Sequence, residues 1–569
     1  MVAPVKMKSI IIIIYCLVLP GCGQVLDNGT NSTANSGINL TAGYVAEKII
    51  TPGYLRNQVA IISADRFEGR APGSPGDAAA RRYLRQHLES KGYLPGAAGG
   101  QWEQLFELVG ITADIPDTWA FTSAGGDLVL HNQDDFIASS GIQNGGPVIE
   151  DAELVFVGYG IIAPEYAWND YKGEDMQGKV LVMMNNDPDW DPELFQGNTR
   201  LSYGRWTYKY EIAAKLGAAG AIIIHTTPSA GYPFQVVQTS WTGEQFELPD
   251  SGDPRIQVAA WVTEQAAQKL LDLSGLDLGD LIESARSRDF RPVDLGIKTS
   301  IKLEITTRTV TTANVLGLLP GSDPVRNDEV VIYTAHHDHL GKGKPDDRGD
   351  QIYNGARDNG AGMAVVLSIA DAFSALPEPP ARSILIAFVG AEEQGLLGSE
   401  YYAVNPTFAP GKIAANINYD SGNIWGRTRD LTFVGYGKSS LDRIIDTVAA
   451  IQGRMVKPDQ LPDKGYFYRS DQYNLAKIGV PAMYLKSGTD FVNRPPGWGK
   501  EQMEYHDTHH YHQPSDELRD DWNFEGLVED ARAGFLTGLI IGNMQEMPVW
   551  NKGDEFESTR LQALQAVNN

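Results

Sequence analysis

The 569-residue sequence contains only two cysteines, Cys16 and Cys22, and it has no excess of basic residues. Both cysteines lie near the start of the sequence, so a chain processed at Cys22 can form no intrachain disulfide and depends on apolar burial for stability. The formal net charge of −25 argues against a nucleic-acid partner, because nucleic-acid binding requires a basic surface. The length is sufficient for more than one domain.

The apolar stretch Ile10 to Leu19 is only ten residues long, which is too short to span a bilayer, since that takes about 20 residues. It follows two lysines, as the core of a signal peptide does. The segment ends in Leu19-Pro20-Gly21-Cys22, which resembles a bacterial lipoprotein signal with Cys22 as the acylated first residue. An ordinary secretory signal is the alternative. Either interpretation predicts an exported protein, facing the periplasm or the cell exterior, with a lipid at Cys22 as its only membrane contact.

A pair of adjacent acids follows one strand-like run. Ser383 to Val389 is a continuous β-branched and aromatic run, typical of a strand covered on both faces, and Gly390 then precedes Glu392 and Glu393. Open α/β sheets bind ligands beyond the carboxyl ends of their strands. One glutamate there can bind a metal while its neighbour handles a proton. Taken alone, the same residues also fit a solvated loop.

Other apolar runs end in the same residue types. A strand predicted over Val330 to Ala335 leads into three histidines and an aspartate, and a strand over Ile413 to Tyr419 leads to Asp420. Two histidines and three carboxylates suit zinc where no thiolate is available. The sequence has no H-E-x-x-H, so a helix-borne single-zinc protease site is not indicated. The three carboxylates are Asp358, Glu393 and Asp420, and histidines occur both after the first of these strands and at His512.

These motifs resemble the co-catalytic zinc aminopeptidases, a family that also includes glutamate carboxypeptidase, glutaminyl cyclase and the transferrin receptor ectodomain. The resemblance extends from about Tyr44 to about Met547. It implies two zinc ions per chain bridged by Asp358, with one site completed by His336 and Asp420 and the other by Glu393 and His512. It also implies an α/β fold with a mixed, mostly parallel central sheet flanked by helices, which the alternation of strands and helices late in the chain independently favours.

The resemblance implies further roles in the hydrolysis of a peptide bond by a zinc-activated water. Glu392 would act as the general base, and Asp338 would orient the imidazole of a ligand. Tyr511 would donate a hydrogen bond to the tetrahedral oxyanion. Five neighbouring histidines are predicted to make hydrogen bonds rather than to bind metal; these are His337, His339, His506, His509 and His510.

Composition divides the chain into six predicted segments. Short strand-like runs separated by Gly, Pro, Asn and Asp clusters dominate the middle of the chain. There GKVLVMMNND and YEIAAKLGAAGAIIIH resemble the protease-associated (PA) domain, which either forms a wall over the site or is a separate stabilising domain. The segments are the signal 1–22, a flexible tether 23–43, the catalytic domain's first part 44–110, the inserted β-rich PA domain 111–298, the catalytic domain's second part 299–547 and a polar C-terminal tail 548–569, predicted to lie at the surface after Trp550.

The function that the resemblance implies is that of an exported zinc aminopeptidase acting on peptides. Three alternatives remain open: a carboxypeptidase or dipeptidase, a glutaminyl cyclase-like acyltransferase, and a non-catalytic surface-binding protein. A carboxypeptidase would need a basic pocket, for which Arg357, Arg469 and Arg494 are candidates. A binding protein would be expected to have lost ligands, whereas all five ligand positions here are chemically competent.

Overall fold

The structure, a computed structural model, describes residues 40–568. The predicted signal segment 1–22, including Cys22, and residues 23–39 of the predicted tether lie outside the described residues. Within residues 40–568, no helix combines the length and the apolar character needed to cross a membrane.

Helices dominate the first described part of the chain. Thr51 and Ser74 each accept a backbone N–H of the following first turn, and a proline follows each of them, which is a favoured way to start a helix. The elements are α1 (Leu40–Ala46), α2 (Pro52–Ile62), α3 (Pro75–Ser90), β1 (Leu94–Pro95) and β2 (Glu103–Asp114).

The middle of the chain is rich in strands, as its short apolar runs predict. Its buried strands consist almost wholly of apolar residues; the five residues of Val180–Met184, for example, are all buried. The elements are β3 (Thr118–Ser123), β4 (Gly126–His131), β5 (Phe136–Ser139), β6 (Val148–Phe156), β7 (Ile162–Ala163), β8 (Trp168–Asn169), β9 (Val180–Met184), α4 (Trp206–Lys215), β10 (Gly220–His225), α5 (Thr227–Ala230), α6 (Phe234–Ser240), β11 (Glu244–Glu247), β12 (Val258–Thr263), α7 (Glu264–Asp272), α8 (Leu278–Ala285) and β13 (Val293–Lys302).

Strands and helices alternate through the last part of the chain. The elements are β14 (Glu304–Leu319), β15 (Val330–His336), β16 (Gly341–Lys342), β17 (Ile352–Tyr353), α9 (Gly362–Ser374), β18 (Ser383–Val389), α10 (Leu397–Val404), β19 (Ile413–Asn418), β20 (Asp430–Val434), α11 (Asp442–Ile451), β21 (Met455–Lys457), α12 (Gln472–Lys477), β22 (Ala482–Ser487), α13 (Trp498–His509), α14 (Glu525–Asn543) and α15 (Glu557–Asn568).

The larger sheet is mixed and flanked by helices, which confirms the predicted fold class. Its strand order is β11-β2-β14-β18-β15-β19-β22-β20-β21, with β1 beside β14. The four central strands, β18, β15, β19 and β22, are parallel, and antiparallel pairing occurs on both sides of them. Alternate residues of β15 enter two different cores: Val331 and Tyr333 pack with α9 and α14, whereas Val330 and Ile332 face the opposite layer.

A second sheet of eight strands is formed by the predicted insert and the four residues that follow it. Its order is β4-β3-β13-β6-β9-β10-β12-β5, and the four strands β6, β9, β10 and β12 pair in parallel. Helix α4 packs beside β10 through Ala213 and Ala214, and the largest fully buried side chains of this region include Trp119 and Trp261.

The predicted segment boundaries at residues 43 and 298 fall inside helix α1 and strand β13. Strand β2 runs across the boundary predicted at residue 110, and β11, from the predicted insert, pairs with β2 at the edge of the larger sheet. Contrary to the prediction of a surface tail after Trp550, Phe556 and Arg560 are buried. The arginine satisfies backbone carbonyls inside the protein, which its polar side chain alone does not reveal.

Candidate functional site

Asp358 lies between two histidine side chains from distant parts of the chain. Its Oδ1 is 3.2 Å from Nε2 of His336, and its Oδ2 is 3.5 Å from Nε2 of His512. Around this axis, Asp420 Oδ1 is 3.5 Å from His336 Nε2, and Glu393 Oε2 is 2.9 Å from His512 Nε2. The five predicted ligands therefore converge as two imidazole–carboxylate groups that share one aspartate.

The central parallel strands explain why three of these residues meet. His336 is the last residue of β15 and lies in register with Val389, the last residue of β18. Glu392 and Glu393 follow β18, and Asp420 follows β19, the other neighbour of β15. Because parallel neighbours end at the same edge of a sheet, their following residues share one crevice.

Asp358 is positioned by a buried acid that the sequence analysis did not single out as a site residue. The carboxylate of Asp516 accepts the backbone N–H groups of Arg357 and Asp358 at 3.0–3.1 Å, and its carbonyl accepts the N–H of Ala356. Asp516 is only 1% exposed. These bonds hold the loop before α9, so that both oxygens of Asp358 point away from the loop toward the histidines.

Arg70 joins the same loop to the end of β15. Its guanidinium donates to the carbonyls of His337, Ile62, Asn354 and Gly355 at 2.7–3.1 Å, and it is fully buried. Burial lowers the pKa of Arg70 to about 10. Arg70 lies in the segment Gly69 to Gly76, with the sequence GRAPGSPG. From its sequence alone, this segment cannot be told apart from a Gly- and Pro-rich connector. The structure assigns it a positioning role.

The side chains at this centre fit a bound cation. Among the described residues, His336 Nδ1 and Nε2, His512 Nε2 and Asp358 Oδ1 are buried without a hydrogen-bond partner. Buried polar atoms are nearly always satisfied, and the nitrogen and carboxylate donors here are those that zinc accepts. His336, Asp358 and Asp420 offer ligand atoms that all lie within 4.8 Å of one another.

His339 adds a third imidazole to the centre. Its Nδ1 lies 2.6 Å from Oε1 of Glu393, and it can group with Asp358 and Glu393 around one cation. The four other histidines also hydrogen-bond, as predicted: His337 with Asp77, His506 with Arg357, His509 with the backbone carbonyl of Tyr505 within α13, and His510 with Ser515.

Asp338 makes its hydrogen bonds to the backbone that follows β18. Its Oδ1 is 3.8 Å from Nδ1 of His336, which is beyond hydrogen-bond distance. Its two oxygens instead accept the backbone N–H groups of Glu392 and Glu393 at 3.0 and 3.3 Å. The aspartate therefore orients the glutamate pair through the backbone. The position of Asp338, two residues after His336, does not show from sequence alone whether its carboxylate contacts that imidazole or the backbone of another segment.

The electrostatics separate the two adjacent glutamates. Burial raises the pKa of Glu392 well above its usual value, and the nearby carboxylates of Asp420 and Glu393 raise it further. The pKa of Glu393 is lowered to about 2, because His512 and His339 outweigh the effect of burial. Glu393 is thus held as an anion, whereas Glu392 binds a proton readily. This division suits one metal ligand and one proton-transfer group.

Two cavities flank the centre, and residues of the predicted insert line both of them. Tyr511, Tyr232 and Arg469 lie on both cavities beside Glu392. The second cavity is also lined by Trp206 and Trp241 of the insert, whose rings pack edge to face with their centroids 5.1 Å apart. Ser240, which the sequence analysis missed, lies 2.7 Å from Nδ1 of His512. No local sequence signal identifies such a serine.

Comparison with known proteins agrees with this geometry. Residues 314–534 match the profile of Peptidase family M28. Leupeptin-inactivating enzyme 1 of Streptomyces exfoliatus is 28% identical over 250 residues, which cover 43% of this chain and 51% of that protein. Aminopeptidase YwaD of Bacillus subtilis is 27% identical over 162 residues, covering 28% and 32%. This chain therefore spans about half, or less, of the length of these curated relatives.

A solved structure shares the fold over most of the chain. The aminopeptidase from Aneurinibacillus sp. strain AM-1 aligns with a TM-score of 0.51 at 19% identity, covering 89% of this chain and 97% of that one. At this identity the likeness concerns the fold.

Proposed function

We propose that the chain is a zinc-dependent aminopeptidase that removes N-terminal residues from peptides, since residues 314–534 match the profile of Peptidase family M28. The observation that carries the proposal is the position of Asp358, whose two oxygens face His336 and His512 separately. A single carboxylate shared in this way between two imidazole groups supports a pair of metal ions. The two curated relatives, named as a leupeptin-inactivating enzyme and an aminopeptidase, support action on peptides.

In this proposal Asp358, His336 and Asp420 hold one zinc ion, and Asp358, Glu393 and His512 hold the other. Bound zinc would supply Lewis-acid polarisation and a lowered pKa for a bound water. The residues around the ligands keep them in position: Asp516 and Arg70 hold the Asp358 loop.

Glu392 is the proposed general base. Its backbone N–H is held by Asp338, and its side chain lines both cavities. A carboxyl group with a raised pKa accepts a proton from water readily and returns it to the leaving amine of the cleaved bond. Glu392 would therefore move the same proton twice, and the reaction would need no covalent intermediate.

Tyr511 is the proposed hydrogen-bond donor to the oxyanion. It lies beside Glu392 on both cavities, and burial, together with Asp358 and Glu393, raises the pKa of its phenol well above the usual value. Tyr511 would thus stay protonated at neutral pH. Its hydroxyl would donate a hydrogen bond to the substrate oxygen on which negative charge develops.

The proposal includes the middle of the chain as a wall of the site. Tyr232, Trp206 and Ser240 of the predicted PA domain line a cavity that also contains Glu393 and His512. These contacts favour a role in substrate access over a purely stabilising one. Export, with a lipid at Cys22, is proposed from residues 1–22 alone; fractionation of cells that express wild type or Cys22→Ser tests it.

The test of function is hydrolysis by the purified protein of a panel of free-amino, N-blocked and C-terminal-glutamate peptides. We expect cleavage of free-amino peptides only, loss of activity on chelation and its recovery with zinc. Glu392→Gln should lower kcat by about 10²- to 10⁴-fold, the usual contribution of a general base. The variant should still bind zinc, because Glu392 is not a proposed ligand.

Other results would replace the proposal with one of its alternatives. Cleavage of blocked peptides would indicate a carboxypeptidase or an endopeptidase. Cyclisation of N-terminal glutamine without hydrolysis would indicate a glutaminyl cyclase-like enzyme. Zinc binding with no turnover of any substrate would indicate a binding protein.

A further inference from the structure

The first of the two cavities extends from the metal centre into a basic region. Its lining runs from Asp358, Glu392 and Asp420 to the cationic side chains of Arg357, Arg469 and Lys486. Strand β22 carries Lys486, and Arg469 precedes helix α12. The basic side chains therefore belong to the predicted catalytic domain, whereas Gly231 and Tyr232 of the predicted insert line the same cavity.

Lys486 is a half-buried cation on this cavity, within electrostatic reach of Asp420, Asp507 and Asp459. Its Nζ donates to the hydroxyl of Tyr484 at 3.1 Å and lies 3.6 Å from the centroid of the Tyr466 ring. No carboxylate of residues 40–568 forms an ion pair with it. Burial lowers the pKa of Lys486 to about 8. An ammonium group withdrawn from water is costly unless an anion compensates for it.

Arg469 has similar surroundings. Its guanidinium lies 5.2 Å from the ring centroid of Tyr232 and 5.8 Å from that of Tyr466, and it donates to the carbonyl of Lys464 at 3.3 Å. Within the described part of the chain it has no ion pair either. Lys486 and Arg469 thus share the Tyr466 ring as a neighbour, and a guanidinium has five N–H donors to offer.

The other charged groups of the cavity are already engaged. Arg357 donates to the carbonyl of Gly422 at 3.1 Å and lies 3.8 Å from Oδ1 of Asp507. Asp459 accepts the backbone N–H of Leu461 at 2.9 Å, and burial raises the pKa of its carboxyl group. The carboxylates of the metal centre would be balanced by zinc. The two cations beside Tyr466 therefore remain available.

We propose that Lys486 and Arg469 bind a carboxylate of the peptide substrate next to the cleaved bond. The inference rests on the proposed peptidase function and specifies its substrate class. Two parts of a peptide carry such a group: an aspartate or glutamate side chain, and the C-terminal carboxylate of a short peptide. Both would accept hydrogen bonds from the ammonium and the guanidinium, which are charge-assisted and therefore strong.

Two matched substrate pairs separate these sources. Glu-Ala-amide against Gln-Ala-amide differs only in the side-chain charge, and Leu-Gly against Leu-Gly-amide differs only in the C-terminal charge. For the zinc-loaded full chain, we expect kcat/KM to favour the charged member of one pair. Lys486→Met keeps the length of the side chain and removes its charge, and it should reduce that preference by about 10- to 100-fold. The loss should fall mainly on KM.

Control variants and a binding measurement make the result decisive. Lys486→Arg should recover much of the preference, and Lys500→Met, which removes an exposed lysine of α13, should leave it at the wild-type value. Calorimetric titration of the Glu392→Gln protein with both members of each pair measures the same preference without turnover. Thermal unfolding of each variant shows whether it is folded.

The outcomes distinguish failure of this inference from failure of the proposed function. Zinc-dependent hydrolysis with equal kcat/KM for both members of both pairs would overturn the carboxylate site and leave the peptidase intact. A Lys486→Met protein that keeps the wild-type preference would also overturn it. Absence of hydrolysis would overturn the peptidase, and the calorimetric preference would then decide the carboxylate site independently.

Discussion

Ser240 places its hydroxyl oxygen 2.7 Å from Nδ1 of His512, although 272 positions separate the two residues in the chain. The other ring nitrogen of His512 faces Glu393 and Asp358. The serine lies at the end of α6, and Gln235 of the same helix donates to Gln513 at 3.1 Å. Helix α6 of the predicted insert thus contacts a proposed zinc ligand at the ring nitrogen that faces away from the metal centre.

Loss of the Ser240 hydroxyl should weaken the second zinc site. A hydrogen bond to the outer nitrogen of a ligating histidine fixes the ring and its tautomer, and its removal usually lowers metal affinity or activity by 10- to 100-fold. We expect Ser240→Ala to show that loss in a zinc titration of the apoprotein. Ser240→Thr, which keeps the hydroxyl, should bind zinc more tightly than Ser240→Ala. Equal affinities of wild type and Ser240→Ala would rule out a positioning role.

Zinc should stabilise the protein and bind at two sites per chain. A ligand that binds only the folded state adds about 4 kcal/mol to the free energy of unfolding at 1,000 times its Kd. We expect chelation to lower the thermal midpoint and zinc to restore it. Elemental analysis should find two zinc ions in wild type and one in His512→Ala. A single ion in wild type would contradict the shared role of Asp358.

His225 should make the protein less stable in mild acid. It is 4% exposed and packs against Phe234, Trp261 and Tyr232, and burial lowers its pKa to about 4. Between about pH 6.5 and pH 4 the unfolded chain therefore binds a proton that the folded one excludes. This contribution to stability is complete above pH 6.5 and is lost as the pH falls; from pH 7 to pH 5 it amounts to about 2 kcal/mol.

Urea unfolding at the two pH values measures this difference. His225→Phe keeps an aromatic ring in the core and removes the titration, so it should lose less stability than wild type on acidification. His131→Gln, at an exposed histidine of the same sheet, should behave as wild type. The explanation fails if His225→Phe loses as much as wild type.

The C-terminal segment should contribute to stability through Arg560. Its buried guanidinium donates to the carbonyls of Pro548, Pro410 and Ile413 at 3.0–3.1 Å. Arg560→Met would leave these carbonyls without their donor, and we expect a loss of about 2–4 kcal/mol in the free energy of unfolding. Arg85→Met, on the exposed face of α3, is the matched control and should change it by less than about 0.5 kcal/mol.

Much of the main domain followed from local sequence pattern. Strand β18 has the predicted bounds, Ser383–Val389, because a strand buried on both faces must be apolar throughout. Helix α14, Glu525–Asn543, is likewise visible in the sequence as a run of helical apolar period from Phe524 to Met544. The polar C-terminal segment was harder to predict, since Arg560 is buried by its bonds to carbonyls rather than by an apolar side chain.

The sequence by itself determined the kinds of residue at the strand ends and the order in which they occur, because local apolar runs define strands and the residues that follow them. Only the tertiary structure decided their partners. Asp338 accepts two backbone N–H groups, His339 pairs with Glu393, and the hydroxyl of Ser240 contacts His512. Such contacts form only when segments far apart in the chain are placed to within a few tenths of an ångström of each other's hydrogen-bonding distance. The packing of the two sheets and their helices determines that placement.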